Sequence, residues 1–252
     1  MNSLNRALRI LVKIAHSPMS VTDVTNYFSI TKSTASRVLT VMAKEGFLQL
    51  NRERKYIIGP TVYTLINGSH ENLNIQEVAR PFLLILNQET SETIHLAIMT
   101  NESITYIDKL DAKRTVRMHS SIGSTNPTYC TGVGKILLAG MNKAKLEVYL
   151  SKIKLIPYTK KTIIEKEKLK NELELIKKSG ISIDRCEHDE LIRCIAAPIV
   201  DFNNNIIAGV SISVPVAYVT EAKLLSYKAK LLKCVKDISE RIGYIGEWAP
   251  FG

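Results

Sequence analysis

One predicted helix near residue 33 carries hydrogen-bonding side chains on one face and apolar side chains on the other. Hydroxyl and guanidinium groups on such a face can reach phosphates and base edges when the helix lies in the major groove of DNA. A solvated face of an ordinary helix is the alternative, because Ser, Thr and Arg are common there. The residues on the polar face are Lys32, Ser33, Thr34, Ser36, Arg37, Thr40 and Lys44.

The predicted elements around this helix favour the interpretation that its polar face binds DNA. Ala35, Val38, Leu39 and Met42 follow the i, i+3, i+4, i+7 spacing of a buried helical stripe. Two shorter helices are predicted before it, one from Leu4 to Ala15 and one over residues 21–28. Three short helices in this order are typical of a helix-turn-helix, whose recognition helix enters the groove.

A β-hairpin is predicted directly after the third helix. Apolar and polar residues alternate over 47–50 and 55–59, on either side of a polar turn. The turn carries Arg52, Arg54 and Lys55, where the wing of a winged helix-turn-helix meets the sugar-phosphate backbone. For each of these residues taken singly, a solvated basic turn is the alternative.

The positive charge of the chain is concentrated at its N-terminal end. Residues 1–60 hold nine cationic and three acidic side chains, a net charge of +6 out of +10 for all 252 residues. This asymmetry is expected where one domain displaces counterions from a polyanion. A membrane surface would also attract the charge, but the sequence contains neither an amphipathic basic helix with a large apolar face nor a lipid-attachment signal.

Length and composition limit the remaining classes. A chain of 252 residues that is 45% hydrophobic is long enough for two packed domains and too apolar to be disordered. No apolar run approaches the ~20 residues of a membrane helix, and no signal peptide is recognisable, so we expect a soluble cytoplasmic protein. The four cysteines, Cys130, Cys186, Cys194 and Cys234, lack metal-ligand spacing and are expected to be reduced thiols.

The rest of the chain predicts an α+β domain, in which helices pack on an antiparallel sheet. The turn Asn203-Asn204-Asn205 joins the arms of a predicted hairpin. Strands are predicted over 93–99, 103–110, 195–201 and 206–214, and helices over 61–69, 75–89, 134–141, 143–151, 164–179 and 221–242.

Short motifs of one known family occur along the chain in order. They are the 34–39 helix with Gly46-Phe47, Tyr56 to Gly59, Glu92 to Leu96, Thr131 to Lys135, Lys178 to Ile181, Asp184, Glu187, Cys194 to Ile199 and Ser211 to Pro215. Together they make the chain resemble the IclR family of bacterial transcriptional regulators over nearly its full length.

The resemblance implies a specific domain organisation. A winged helix-turn-helix would occupy residues 1–60, a helical linker 61–74, and a GAF-like effector-binding and oligomerising domain 75–252. Such proteins act as homodimers or homotetramers on palindromic promoter DNA, and they respond to an organic, sugar or aromatic acid. Leu191 departs from the family, in which glycine is common at this position, and is expected to alter a loop beside the pocket.

The resemblance also implies an effector pocket, lined by Met118, Gly132, Val133, Asp184, Cys194, Ser211 and Ser213. Gly132 and Val133 open a predicted helix, whose free backbone N–H groups favour a carboxylate. Ser211 and Ser213 point to one face of a strand and can bond a polar ligand. Asp184 can accept from ligand hydroxyls, while Met118 and Val133 would form apolar wall. As structural alternatives, the serines fill a tight sheet and Cys194 is a small buried hydrophobe.

Two other classes of function remain open from the residues alone. A thiol enzyme would pair Cys130 or Cys194 with His95 or His119, although no oxyanion-forming motif accompanies them. A metal or redox sensor would use Cys130, Cys186 and Cys194 with His119 or His188, whose spacing is scattered. A phosphate loop at Gly132-x-Gly134-Lys135 is rejected because the earlier glycine of that motif is missing.

Together these observations predict a DNA-binding transcriptional regulator, a repressor rather than an activator, that is controlled by a small carboxylate metabolite. No enzymatic activity, metal or cofactor is expected.

Overall fold

The computed structural model describes residues 3–70, 74–114 and 118–251, and for residues 66–70 the backbone alone. The chain divides into two compact units, Met1–Leu73 and Asn74–Gly252. Residues 71–73, which belong to the predicted linker 61–74, lie outside the described residues.

The N-terminal unit is a winged helix-turn-helix, as predicted. Its elements are α1 (Ser3–His16), α2 (Val21–Phe28), α3 (Lys32–Lys44), β1 (Leu48–Leu50), β2 (Tyr56–Ile58) and α4 (Pro60–His70). Strands β1 and β2 pair antiparallel, and Met19 adds a bridge to Tyr56. Buried residues from α1, α2, α3 and β1 form one small core that includes Ile10, Val24, Ala35, Leu39 and Leu48.

Local capping fixes the turn between α2 and α3. Ser20 and Asp23 form a capping box at the start of α2, and Ser29 ends that helix in the left-handed conformation at φ 50°. The Thr31 side chain then accepts from the Thr34 amide and begins α3. Because these contacts lie within a few residues of one another, the local sequence determines the direction in which α3 leaves the turn.

The C-terminal unit is an α+β domain built on a six-stranded antiparallel sheet, in the order β5-β4-β3-β8-β7-β6. Its strands are β3 (Thr93–Thr100), β4 (Ser103–Leu110), β5 (Thr125–Pro127), β6 (Ser182–Asp184), β7 (Ile192–Val200) and β8 (Ile206–Pro215). Its helices are α5 (Ile75–Thr90), α6 (Gly132–Ala139), α7 (Lys143–Lys152), α8 (Lys166–Ser179), α9 (Glu221–Ser226) and α10 (Lys228–Arg241).

Helices cover both faces of this sheet. The face that carries Ile94, Ile195 and Ile212 packs against α5, α9 and α10. The opposite face carries Ala97 and Ala196 and packs against α6, which in turn packs against α8. Polar residues on this second face are therefore enclosed between the sheet and the end of α6.

The predicted elements differ from the structure in three places. The helix expected over 221–242 is interrupted at Tyr227, so it forms α9 and α10. Strands β5 and β6 were not predicted, since each has only three residues and is held by pairing with a longer neighbour. The predicted hairpin between β7 and β8 is confirmed, and Asp201 accepts hydrogen bonds from the Asn203 and Asn205 amides in its turn.

Candidate functional site

Helix α3 presents its polar face outward. Lys32, Ser33, Ser36, Arg37 and Thr40 are exposed, whereas Ala35 and Leu39 are fully buried. Thr34 differs from the other predicted contact residues, because it is half-buried and its hydroxyl lies 2.9 Å from that of Thr31. The Thr34 side chain therefore belongs to the helix cap as much as to the exposed face.

The tip of the hairpin is held by one asparagine. Asn51 Oδ1 accepts from the Glu53 amide at 3.0 Å and the Lys55 amide at 2.9 Å, while Arg54 takes a φ of 59°. Arg52 and Arg54 are exposed, but Lys55 is half-buried, with its Nζ 3.6 Å from Glu53. Of the three predicted tip cations, Arg52 and Arg54 thus present their charge to solvent, and Lys55 is partly neutralised.

A cavity of about 600 Å³ lies within the C-terminal unit. Its lining comes from the polar face of the sheet, the first turn of α6, residues 118–120 and 124, residues 188–189 and 191–192, and residues 215–218 at the end of β8. All seven residues of the predicted pocket line it, namely Met118, Gly132, Val133, Asp184, Cys194, Ser211 and Ser213. The wall also contains polar residues that the sequence did not assign to a pocket, among them Tyr106, Ser120, Ser124, Asn126 and Thr131.

Strand register brings the polar floor of the cavity together. Asp184, Cys194 and Ser213 stand opposite one another on β6, β7 and β8, so they share one face of the sheet. Ser211 stands opposite His95 of β3. Cys194 Sγ donates to Ser213 Oγ at 3.1 Å, which continues the floor as a hydrogen-bonded row.

His95 lies at the end of this row and is 2% exposed. Its Nδ1 is 3.2 Å from Ser213 Oγ and its Nε2 is 2.7 Å from Ser120 Oγ, while its ring packs 4.5 Å from that of Tyr106. Burial disfavours the imidazolium and, with the nearby Lys109 ammonium, lowers the pKa of His95 to about 3. The imidazole is therefore neutral, and it connects the cavity floor to the segment that follows residue 117.

The first turn of α6 forms the facing wall. Thr131 Oγ1 accepts from the Gly134 amide at 3.2 Å, so the amides of Gly132 and Val133 are the ones left open at the cavity. A Cβ on Gly134 would lie 2.1 Å from the carbonyl oxygen of Thr128, which requires glycine there. Gly134 therefore allows this helix end to pack closely against the segment before it.

Behind this wall lies a buried ion cluster. Lys135 Nζ is fully buried and donates to Glu187 Oε1 at 2.6 Å, Glu172 Oε1 at 3.1 Å and the Ile183 carbonyl at 2.9 Å. Asp184 Oδ1 accepts from the Glu187 amide at 2.7 Å, so the cluster reaches the cavity wall.

The thiols lack the features of an enzyme or a sensor. Burial raises the pKa of Cys130 to about 12 and raises that of Cys194 further, with Asp184 adding to both effects. Neutral thiols are poor nucleophiles and poor metal ligands. Among residues 3–70, 74–114 and 118–251, no three His, Cys, Asp or Glu side chains converge in a group that could hold a metal ion.

Two features of the cavity were only partly visible in the sequence. His95 lies between Ile94 and Leu96 in a buried strand. Because buried polar side chains need hydrogen-bond partners, a histidine at this position indicates a polar cavity rather than a purely apolar core. Leu191 lies on the rim with 70% of its surface exposed. The leucine therefore adds apolar surface at the mouth of the cavity and does not fill it.

In the described part of the chain, no helix has the length and apolar character needed to cross a bilayer.

Comparisons with known proteins agree with both units. The profile described as "Bacterial transcriptional regulator IclR C-terminal" matches residues 68–240, and that of the "IclR helix-turn-helix domain" matches residues 3–52. The HTH-type transcriptional regulator KdgR of Escherichia coli is 33% identical over 90% of this chain and 86% of its own. The transcriptional repressor IclR of E. coli is 29% identical over 96% and 90%, respectively. The crystal structure of the Thermotoga maritima IclR is 34% identical over 97% of this chain and all of that one, with a TM-score of 0.66.

Acid is expected to destabilise the C-terminal unit through His95. The unfolded chain binds a proton at His95 near pH 6.5 and the folded protein only near pH 3, so stability is lost as the pH falls below 6.5. Relative to a His95→Gln variant, wild type should lose about 1.4 kcal/mol of unfolding free energy per pH unit in this range.

Denaturant unfolding between pH 7 and 5, followed by the fluorescence of the single tryptophan Trp248, measures this difference. The His119→Gln variant, changed at an exposed histidine on the cavity wall, is the matched control and should follow wild type. Parallel pH dependences for wild type and His95→Gln would contradict the assignment.

Proposed function

Because the chain belongs to the IclR family of bacterial transcriptional regulators, we propose that it represses transcription from a palindromic operator and that a small carboxylate metabolite changes its affinity for that operator. It acts in the cytoplasm, on chromosomal DNA. The observation that carries the effector half of the proposal is the cavity, in which two open helix amides face a floor of hydroxyl, thiol and imidazole groups.

The DNA-binding half rests on α3 and the hairpin. Their exposed cations and hydroxyls suit a helix in the major groove beside a wing on the phosphate backbone. A palindromic operator has a two-fold axis, so two copies of α3 must be presented by a homodimer or by a homotetramer built from two dimers. Repression is supported by one relative, the transcriptional repressor IclR of E. coli.

The effector half rests on the volume and chemistry of the cavity. A volume of about 600 Å³ lies within the usual range for small-molecule sites. Unsatisfied N–H groups at a helix N-terminus and the helix dipole together favour an anionic oxygen. Ser211 and Ser213 offer hydroxyls to the polar groups of the same ligand, while Met118 and Val133 contribute apolar wall. A carboxylate with a short polar or apolar body fits this arrangement.

Removing the Arg37 side chain should weaken specific DNA binding. Arg37→Ala is expected to cost about 1–3 kcal/mol on the operator, because a guanidinium that reads a base edge contributes that much discrimination. Fluorescence anisotropy on duplexes tiled across the intergenic DNA beside the gene measures the change, and scrambled duplexes measure non-specific binding. Lys152→Ala, which removes an exposed cation from α7, is the control. Equal operator affinities for Arg37→Ala and Lys152→Ala would argue against α3 as the reading helix.

Removing the Arg54 side chain should act through the phosphates. Arg54→Ala is expected to weaken binding to operator and scrambled duplexes alike and to reduce the slope of log K against log salt by about one. Affinities at four salt concentrations give that slope. A slope equal to that of wild type would exclude the hairpin tip from the DNA interface.

A carboxylate effector should change operator affinity. At saturation, the expected change is at least about fivefold, the lower end of ordinary allosteric coupling. Anisotropy titrations with a set of small carboxylic acids measure it, and the uncharged amide of each acid is the matched control. Unchanged operator affinity under saturation by every acid would contradict control by a carboxylate, since a ligand shifts an equilibrium only by its differential affinity.

A further inference from the structure

We propose that Asp184 meets the carboxylate ligand in its protonated form, so that ligand and proton enter the cavity together. This inference rests on the proposed function, because it concerns how the same cavity accepts an anion. It is carried by the charges around Asp184 and by the position of Asp184 beside the open amides of α6.

The buried cluster has too few cations for its carboxyl groups. Lys135 donates to Glu187 and Glu172, and the Lys135 ammonium is the one cation within the cluster in the described part of the chain. Asp184 is 4% exposed and accepts only backbone N–H groups, including that of Glu187. Three carboxyl groups thus share one ammonium that two of them already occupy, and the third is stabilised by carrying a proton.

Within residues 74–114 and 118–251, no other element packed against Asp184 supplies a positive charge. The neighbouring strand β7 presents the Cys194 thiol, the segment before α6 presents the Cys130 thiol, and β4 presents the Tyr106 phenol. Burial raises the pKa of each of these groups, so all three are neutral.

The charged and titratable groups on the rest of the described cavity wall place no further cation beside Asp184. Burial keeps His95 neutral and lowers the pKa of half-buried His188, while Asp189 and His119 are exposed. Lys109 donates to the carbonyls of Met118 and Ser120 and pairs with Asp111 at 2.8 Å. The exposed Arg185 pairs with Glu221.

Asp184 also lies where the ligand anion is expected. A Cβ built on Gly132 would be 3.9 Å from the Cβ of Asp184, so the first turn of α6 packs beside the base of this side chain. A carboxylate bound to the Gly132 and Val133 amides would therefore adjoin Asp184. Two ionised carboxyl groups in contact inside a protein repel strongly, whereas one proton between them makes a hydrogen bond.

The direction of titration is consistent with this arrangement. Burial is the main cause that raises the pKa of Asp184 to about 7. The Glu187 backbone amide opposes this shift, the Glu187 carboxylate adds to it, and the Lys135 ammonium and the Cys186 amide oppose it less strongly. Below pH 7 the proton is already present, and the ligand binds without proton exchange. Above pH 7 a proton must be taken from solvent with each ligand, so affinity falls as the pH rises.

The test is calorimetric titration of the full-length protein with acetate, lactate, glycerate and benzoate at pH 6.0, 7.5 and 8.5. Repeating each titration in buffers of different ionisation enthalpy counts the protons taken up. Between pH 7.5 and 8.5, Kd should rise about tenfold in wild type, with uptake of about one proton per ligand. Asp184→Asn, which donates a hydrogen bond without titrating, should bind with the same Kd at all three pH values. Glu190→Gln removes the same charge from an exposed residue of the neighbouring loop and should retain the wild-type pH dependence.

The number of protons that wild type takes up per bound ligand tests the protonation of Asp184 even if Asp184→Asn fails to fold. Carboxylate binding with no proton uptake and no pH dependence would overturn this inference and leave the carboxylate effector standing. A pH dependence that persists in folded Asp184→Asn would assign the proton to another group and overturn it as well. Failure of all four acids to bind at any pH, by a protein that still binds its operator, would overturn the carboxylate effector and this inference with it.

Discussion

The burial of Lys135 is the constraint on which the C-terminal unit depends. An ammonium removed from water is strongly disfavoured unless its donors are satisfied. Lys135 meets Glu172 of α8, the Ile183 carbonyl of β6 and Glu187 of the following turn, so one side chain ties α6 to three other segments. Because those partners surround the charge, α6 keeps one position over the sheet, and its open first turn always faces the same cavity.

The same cluster gives the cavity its chemical character. The strand and turn that satisfy Lys135 also carry Asp184, whose carboxyl forms no ion pair among the described residues. Across the sheet, Ser213 bonds both Cys194 and His95, and His95 bonds Ser120. The cavity therefore combines neutral donors and acceptors with a helix end that favours negative charge, and no unpaired cation among the described residues lines it. In the function proposed above, such a site would select an anion by hydrogen bonding and by the protonation state of Asp184, where many anion sites rely on a salt bridge.

The geometry of the N-terminal unit depends mainly on local contacts. Its core is small, and its geometry is set by contacts between residues close in sequence, such as the Ser20 and Asp23 capping box and the Thr31 cap. Burial of Ala35 and Leu39 leaves the opposite face of α3 free for Ser36, Arg37 and Thr40. Stability and presentation of the polar face are thus two consequences of one helical periodicity.

The sequence by itself determined the elements whose signals are local. The stripe of α3, the wing hairpin, the turn at Asn203 to Asn205 and the basic N-terminal end follow from the spacing and type of neighbouring residues. The motifs shared with the IclR family also selected seven residues that the folded chain brings to one cavity. Only the tertiary structure decided that β5 and β6 exist, that His95 joins the cavity floor, and that Lys135 turns inward to Glu187. These outcomes depend on pairing and burial between segments tens of residues apart, which no local periodicity encodes.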